Sequence, residues 1–216
     1  MDNKKISFDI ENLYIKTKSD IVLGIDEAGR GCLVGPVVAA CVWINQDKFP
    51  KNLLLKINDS KKLSEKKREE IFNELLSLPD DIFMFEYDDI SAKIIDEINI
   101  LQASLLAMKN SYNKLIKRLE KKDCTVLIDG NKAPDGIPLT HTIISGDALS
   151  YSIATASIIA KVKKDFLLNE IGKKFPEFQF EKNKGYGTTK HLEALEKFGP
   201  TEHHRKTYSP VKKYIK

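Results

Sequence analysis

Apolar residues fall into blocks along this chain, and the blocks differ in period. Five are short and rich in β-branched residues: IVLGID at 21–26, GPVVAACVWI at 35–44, IFMFEY at 82–87, TVLIDG at 125–130 and HTIIS at 141–145. Runs of that length and composition predict strands, the second of them well buried. Three other stretches have helical spacing. Ser64 predicts the cap of a helix over 64–78, with Ile71, Phe72, Leu75, Leu76 and Leu78 along one side. Residues 99–119 predict a long helix whose stripe is Ile100, Ala103, Leu106, Ala107, Tyr112, Leu115, Ile116 and Leu119. A third helix is predicted over 148–171, and its SIATASIIA segment is apolar nearly all round, as in a helix packed on both sides. Residues 1–19 read as a loosely held lead-in and 45–63 as loop. Residues 172–216 read as a lysine-rich remainder with one short helix near 189–198.

Strands first, then helices alternating with strands, predict an α/β architecture in which helices pack on one mixed sheet. The expected division is a main domain at 18–171 and a small C-terminal helical extension at 172–216 that completes the cleft. With 216 residues, 42% apolar and 31% charged, the chain suits one domain that needs no disulfide or metal staple. Its net charge of +4 permits a polyanionic partner without demanding one. The N-terminus has no continuous apolar core, so no secretory leader is expected. The longest near-apolar run, 33–44, contains Gly35 and Pro36 and is well short of the roughly 20 residues that span a bilayer. Cys32, Cys41 and Cys124 form no CxxC pair, which points to a reducing cytoplasmic setting and away from a zinc site.

Acids cluster where strands end. Asp26 and Glu27 follow IVLGI, Asp129 ends VLID, and Asp147 opens the third long helix. Each has an ordinary explanation: a solvated strand end, an Asp-Gly turn, an N-cap. Together they place four carboxylates at one sheet edge, where they would repel strongly unless cations lay between them. Oxygen donors without nearby His or Cys suit Mg²⁺ or Mn²⁺, and two such ions about 4 Å apart serve phosphodiester cleavage. Beside the acid pair, Gly29-Arg30-Gly31 offers close backbone approach and a cation for phosphate, or simply a tight turn. Lys61 and Lys62, with Lys161, Lys163 and Lys164 further on, would flank a phosphate backbone or form a solvated face. Tyr186 lies between glycines, where it would stack on a sugar or base or plug a small core.

The blocks GIDEAGRG at 24–31, GPVVAACV at 35–42, DSKKLSEKKRE at 59–69, INILQASLLAM at 98–108, IDGN at 128–131, SIATASIIAKVKKD at 152–165 and NKGYGTTKHLEAL at 183–195 stand in an order that resembles ribonuclease HII, the type 2 ribonuclease H family. The resemblance covers about 20–210. It implies a ribonuclease H-like fold and two-metal endonucleolytic cleavage of the RNA strand of RNA–DNA hybrids. It also implies incision at ribonucleotides embedded in duplex DNA, leaving 5′-phosphate and 3′-hydroxyl ends.

Position by position, the family's metal-binding acids fall on Asp26, Glu27, Asp129 and Asp147. Its reader of the junction 2′-hydroxyl falls on Gly29, Arg30 and Gly31, and the tyrosine stacked on the following deoxyribose falls on Tyr186. Lys61 and Lys161 are expected to contact substrate. Cys32 departs from a frequent proline, and Lys163-Lys164 from a frequent Thr-Arg pair. A type 3 enzyme would carry a sizeable N-terminal domain and a different fourth acid, so type 2 is preferred. Alternatives from other classes are a catalytically silent hybrid-binding module and a different two-metal nuclease of this fold. A monomer is expected, and residues 208–216 show no persuasive clamp-binding motif.

Overall fold

The five predicted strands pair into one mixed sheet of order β3-β2-β1-β4-β5. They are β1 (Val22–Ala28), β2 (Val37–Ile44), β3 (Phe83–Ile90), β4 (Thr125–Asp129) and β5 (Thr140–Ile143). This computed structural model describes residues 6–17, 20–121 and 123–215. β1–β2 and β2–β3 are antiparallel, whereas β1–β4 and β4–β5 are parallel. The parallel register sets Ile25 against Ile128. The residues that follow, Asp26 and Asp129, therefore lie side by side where the β1–β4 pairing ends, each still paired on its other side.

Two long helices cover opposite faces. α4 (Ala92–Leu119) packs on the face that carries Leu23, Ile25, Val37, Ala39 and Cys41. α3 (Glu65–Leu76) and α5 (Tyr151–Lys174) pack on the face of Ala40, Val42 and Ile44. β2 is thus buried on both sides, which is why it reads as a continuous apolar run. α5 comes so close to β1 that a Cβ on Gly24 would lie 2.3 Å from the Ser152 carbonyl carbon. The small residues of SIATASIIA meet a strand that has no side chain at that point.

The remaining helices are short: α1 (Asp9–Asn12), α2 (Lys51–Leu54), α6 (Phe180–Asn183), α7 (Thr189–Phe198) and α8 (Ser209–Lys212). A separate apolar cluster fixes the C-terminal part: Leu33, Val34 and Leu168 from the main body meet Phe178, Phe180, Leu195 and Val211. α5 runs unbroken past the expected boundary at 171, and the other boundary, at 18, lies outside the described residues.

Several expectations are corrected. The lead-in is not loose over 6–17: Ile6 is buried, and Glu11, 2% exposed, accepts hydrogen bonds from Ser150 Oγ and from Ser152 N–H and Oγ. The 45–63 loop contains α2, and Leu76 is half exposed rather than part of the buried side of α3. The helix predicted from 99 is the second half of α4. Asn99 interrupts it at φ 66°, and its side-chain oxygen accepts the N–H groups of Leu101 and Gln102, so it caps that half. Among the described residues, 172–215 hold three α-helices of their own, not one.

Candidate active site

β1 delivers Asp26 and Glu27, and the adjacent end of β4 delivers Asp129. Asp147 comes from a single 3-10 turn, Gly146–Ala148, and this turn is tied back to β4 because Asp129 Oδ1 accepts the Gly146 N–H at 2.7 Å. Asp147 is not the cap of α5. Ser150 holds that position, its side chain accepting from the Ile153 N–H. Gly130 does make a turn, at φ 94°, but the carboxylate of Asp129 faces the other acids.

Charge accumulates here with little compensation. Burial holds the Asp26 carboxyl well above the usual carboxylate range, and the charges of Glu27 and Asp129 add to this. The Ser157 hydroxyl and the Glu27 N–H, 2.7 Å from Asp26 Oδ1, act the other way. Burial also raises Glu27, opposed by Arg30, whose Nη1 lies 3.1 Å from Oε1. Asp129 is raised by burial and then by Asp147. The second Glu27 oxygen is buried with no hydrogen-bond partner.

Lys61 leans over this edge with its Nζ 3.5 Å from Asp147 Oδ2 and a side chain 81% exposed. Burial works against its charge, yet Asp147, Asp26 and Asp59 prevail and raise its pKa. Its neighbour Ser60 is buried, 2.9 Å from Ser157 Oγ, so the segment carrying Lys61 is braced against the helix that also supports Asp26.

The glycine turn lies alongside. Gly29 sits at φ 99°, and a Cβ there would be 2.9 Å from the Pro36 carbonyl oxygen, so only glycine fits. A Cβ on Gly31 would be 3.7 Å from Tyr186 Cε1, which brings the ring against bare backbone. Tyr186 is 47% exposed and so does not plug a core.

The lysines of α5 turn elsewhere. Lys161 Nζ is 2.9 Å from Asp165, so its ammonium is committed to an ion pair rather than offered to solvent. Lys163 lies over the rings of Phe72 and Tyr87. Lys164 is buried, bonded to Asp165 at 3.0 Å and to the Lys184 carbonyl at 2.7 Å, with its ammonium 5.4 Å from the Tyr186 ring centroid. The structure thus gathers Asp26, Glu27, Asp129, Asp147, Gly29, Arg30, Gly31, Lys61 and Tyr186, and turns Lys161 inward. Sequence reasoning missed Ser157 and Asp165. The spacing of Lys161 and Asp165, four residues apart on a helix, was the available signal for the second.

The model of the family described as Ribonuclease HII matches residues 23–211. The chain belongs to the ribonuclease HII family. It is accordingly a divalent-metal-dependent endoribonuclease acting on RNA–DNA hybrids. It is 45% identical over 197 residues to the ribonuclease HII of Paramagnetospirillum magneticum, covering 90% of this chain and 93% of that protein. Among solved structures it is similar to the ribonuclease HII of Archaeoglobus fulgidus in its complex with PCNA. The TM-score there is 0.66 at 27% identity, over 88% of this chain and 95% of that one. It also shares the fold of Bst-RNase HIII, solved with Mn²⁺: TM-score 0.71 at 15% identity, over 92% of this chain and 70% of that one. The expected ribonuclease H-like mixed sheet flanked by helices is therefore the fold.

The four acids fit hard divalent ions by donor chemistry: carboxylate oxygens, one of them orphaned and buried, whose mutual repulsion a cation would relieve. Among the described residues no three acidic, thiol or imidazole side chains are gathered tightly enough to enclose an ion. Arg30 and Lys61 instead engage Glu27 and Asp147.

Proposed function

We propose that this chain incises the RNA strand at ribonucleotides embedded in duplex DNA, as well as in longer hybrids, using two Mg²⁺ or Mn²⁺ ions held by Asp26, Glu27, Asp129 and Asp147. The convergence of these four carboxylates, with Asp26, Glu27 and Asp129 raised in pKa by burial and by neighbouring acids, is the observation that carries the reading. When bound, the ions would supply Lewis acidity that activates water and neutralises the leaving 3′-oxygen, giving 5′-phosphate and 3′-hydroxyl ends.

The protein's own part is placement. Lys61, largely exposed and close to Asp147, is available to the phosphate being cut once that carboxylate is neutralised. Arg30, half exposed beside Glu27, is positioned in the same way. The backbone of Gly29–Gly31 would contact a ribose 2′-hydroxyl, the one group that separates RNA from DNA at a given nucleotide. Tyr186, packed beside Gly31, would lie on the next sugar, where a hydroxyl would intrude.

The expected setting is cytoplasmic and the expected state monomeric. Three free, buried cysteines accord with a reducing compartment, and no described helix is long and apolar enough to cross a membrane.

The test is cleavage of a duplex with one embedded ribonucleotide. Incision at the ribonucleotide in Mg²⁺ or Mn²⁺, none in chelator and little in Ca²⁺ is the expected result, because the looser Ca²⁺ sphere does not hold an in-line geometry. Full turnover in chelator, with residual metal excluded, would sink the two-ion reading.

A further inference from the structure

Two consecutive residues of the C-terminal segment, His204 and Arg205, diverge and end on the backbone carbonyls of the two elements beside the acids. Arg205 is fully buried. Its Nη1 donates to the Arg30 carbonyl at 2.9 Å and its Nε to the Gly35 carbonyl at 3.1 Å. The Tyr208 hydroxyl donates to the same Arg30 oxygen at 2.8 Å and accepts from Arg205 Nη1 at 3.0 Å. The peptide at the centre of the glycine turn is therefore gripped from behind by two donors.

His204 reaches the tyrosine through a second histidine. Its Nε2 is 3.0 Å from His191 Nε2, and His191 Nδ1 is 2.8 Å from the Tyr186 carbonyl oxygen. The direction of this chain is fixed at both ends. The Thr201 N–H, 2.9 Å from His204 Nδ1, can only donate, so that nitrogen is the acceptor and the His204 proton sits on Nε2. His191 Nε2 must then accept, which leaves the His191 proton on Nδ1, where the Tyr186 carbonyl can only accept. Both imidazoles are neutral and each ring nitrogen has one role. The pair is sealed between Phe178 and Phe180, and both rings are almost wholly buried.

We propose that His204 and Arg205 are positioning residues that set the spacing between the Arg30 turn and Tyr186, and through it the preference for a ribonucleotide–deoxyribonucleotide junction. The proposal rests on the junction reading given above. One peptide unit separates the two arms, so the gap between turn and ring is fixed by covalent geometry and by hydrogen bonds that exclude water. A turn and a ring held independently could drift by an ångström, and a displacement of that size costs up to about 10²-fold in a reaction that depends on placement. Neither residue meets substrate. Each acts through a carbonyl of a residue that does.

The test uses four substitutions in the full chain, with Tyr186→Ala as the reference for the junction reading. Tyr208→Phe removes one donor to the Arg30 carbonyl. His204→Asn retains an acceptor for Thr201 but does not reach His191. His204→Gln carries an amide to the Nε2 position and should restore the link. Two readouts are taken: backbone amide NMR signals of 29–32 and 185–187, and the ratio of kcat/KM on a single embedded ribonucleotide to kcat/KM on a uniform hybrid.

Tyr208→Phe and His204→Asn should shift or broaden those amides and lower the ratio about 3- to 10-fold, the loss of one net hydrogen bond. His204→Gln should stay within about twofold of wild type on the same scale. Unmoved amides in both damaging variants would overturn the positioning role. Moved amides with an unchanged ratio, in an enzyme whose Tyr186→Ala variant does change the ratio, would overturn the specificity role. A Tyr186→Ala ratio equal to wild type would strike instead at the junction reading, and the amide signals would then decide the positioning role alone.

Discussion

Asp26 and Asp165 are equally buried, each 5% exposed, yet their surroundings drive them in opposite directions. Asp26 faces Glu27 and Asp129, and burial with like charge pushes its carboxyl up. Asp165 faces Lys161, Lys164 and Arg68 at 2.9, 3.0 and 3.8 Å. Burial opposes its charge, but the lysines prevail and hold it below the usual value. The two acids mark two regions. At the sheet edge, like charges are held together against their preference. In the wall behind it, the Asp165 cluster matches opposite charges, the histidine pair carries none, and Arg205 is held on backbone carbonyls. The edge is under electrostatic load, which is what the proposed two-ion site requires. The wall keeps the edge, the glycine turn and Tyr186 in register.

The strongest way to break this comparison is to neutralise the edge. Asp26→Asn and Asp129→Asn are nearly isosteric and remove only charge. Turnover should fall roughly 10²-fold or more, since the ion clamp is worth several kcal/mol. Melting temperature in chelator should stay level or rise, by about 2–4 °C for each kcal/mol of repulsion relieved. A variant that melts lower with its turnover intact would reverse the assignment and make the edge structural.

The matched region should answer in the opposite sense. Asp165→Asn leaves buried Lys164 and Arg68, with part-buried Lys161, without their anion, and breaking a buried pair costs about 3–5 kcal/mol. The expected result is a melting temperature lower by roughly 6–20 °C. Unchanged melting would mean that the ion cluster is solvated and contributes nothing.

The edge was legible in the sequence because each part carries a local signal. Apolar runs ending in Asp-Glu or Asp-Gly locate strand ends, and glycines on both sides of Arg30 mark a turn that approaches backbone closely. The wall was not legible, because its partners are far apart in the chain. Glu11 finds Ser150 and Ser152 about 140 positions away, and Arg205 finds Arg30 at a separation of 175. No periodicity links such residues. Lys161 shows the ambiguity from the other side: a lysine near the site reads as a phosphate contact until its helix neighbour Asp165 is seen to hold it. The interruption of α4 was half legible: Asn99 begins the second apolar stripe, and Ser91, which caps the first half ahead of Ile94, Ile95 and Ile98, was a local signal not used.

Tyr186 lies where the two regions meet, beside Gly31 on one side and over Lys164 on the other. Tyr186→Ala should lower kcat/KM on a single embedded ribonucleotide by roughly 5- to 150-fold more than on a uniform hybrid, the worth of one stacking contact. In a uniform hybrid the next sugar is a ribose, so the ring gains less and its removal costs less. Equal losses on both substrates would assign the ring to the wall.

The gentlest test uses pH. Burial, with His191 and His203 nearby, lowers the pKa of His204 to about 3 from an ordinary value of 6.5. His191 is lowered too, by burial against its bond to Tyr186. Between those values the unfolded chain takes up a proton at His204 that the folded chain refuses. The stability tied to the neutral ring is therefore complete above about pH 6.5 and drains away as pH falls toward 3, at about 1.4 kcal/mol per pH unit for one proton. The raised acids of the edge act with the opposite sign, because the folded chain binds their protons first. A comparison of wild type with His204→Gln cancels that contribution, since both proteins keep the same acids. The difference in unfolding free energy between the two, measured by denaturant titration from pH 7 to pH 4 in chelator, should move in favour of the variant as pH falls. A difference that stays flat across that range would mean His204 protonates as freely in the folded chain as in the unfolded one, and the histidine pair would then not be the neutral relay its hydrogen bonds describe.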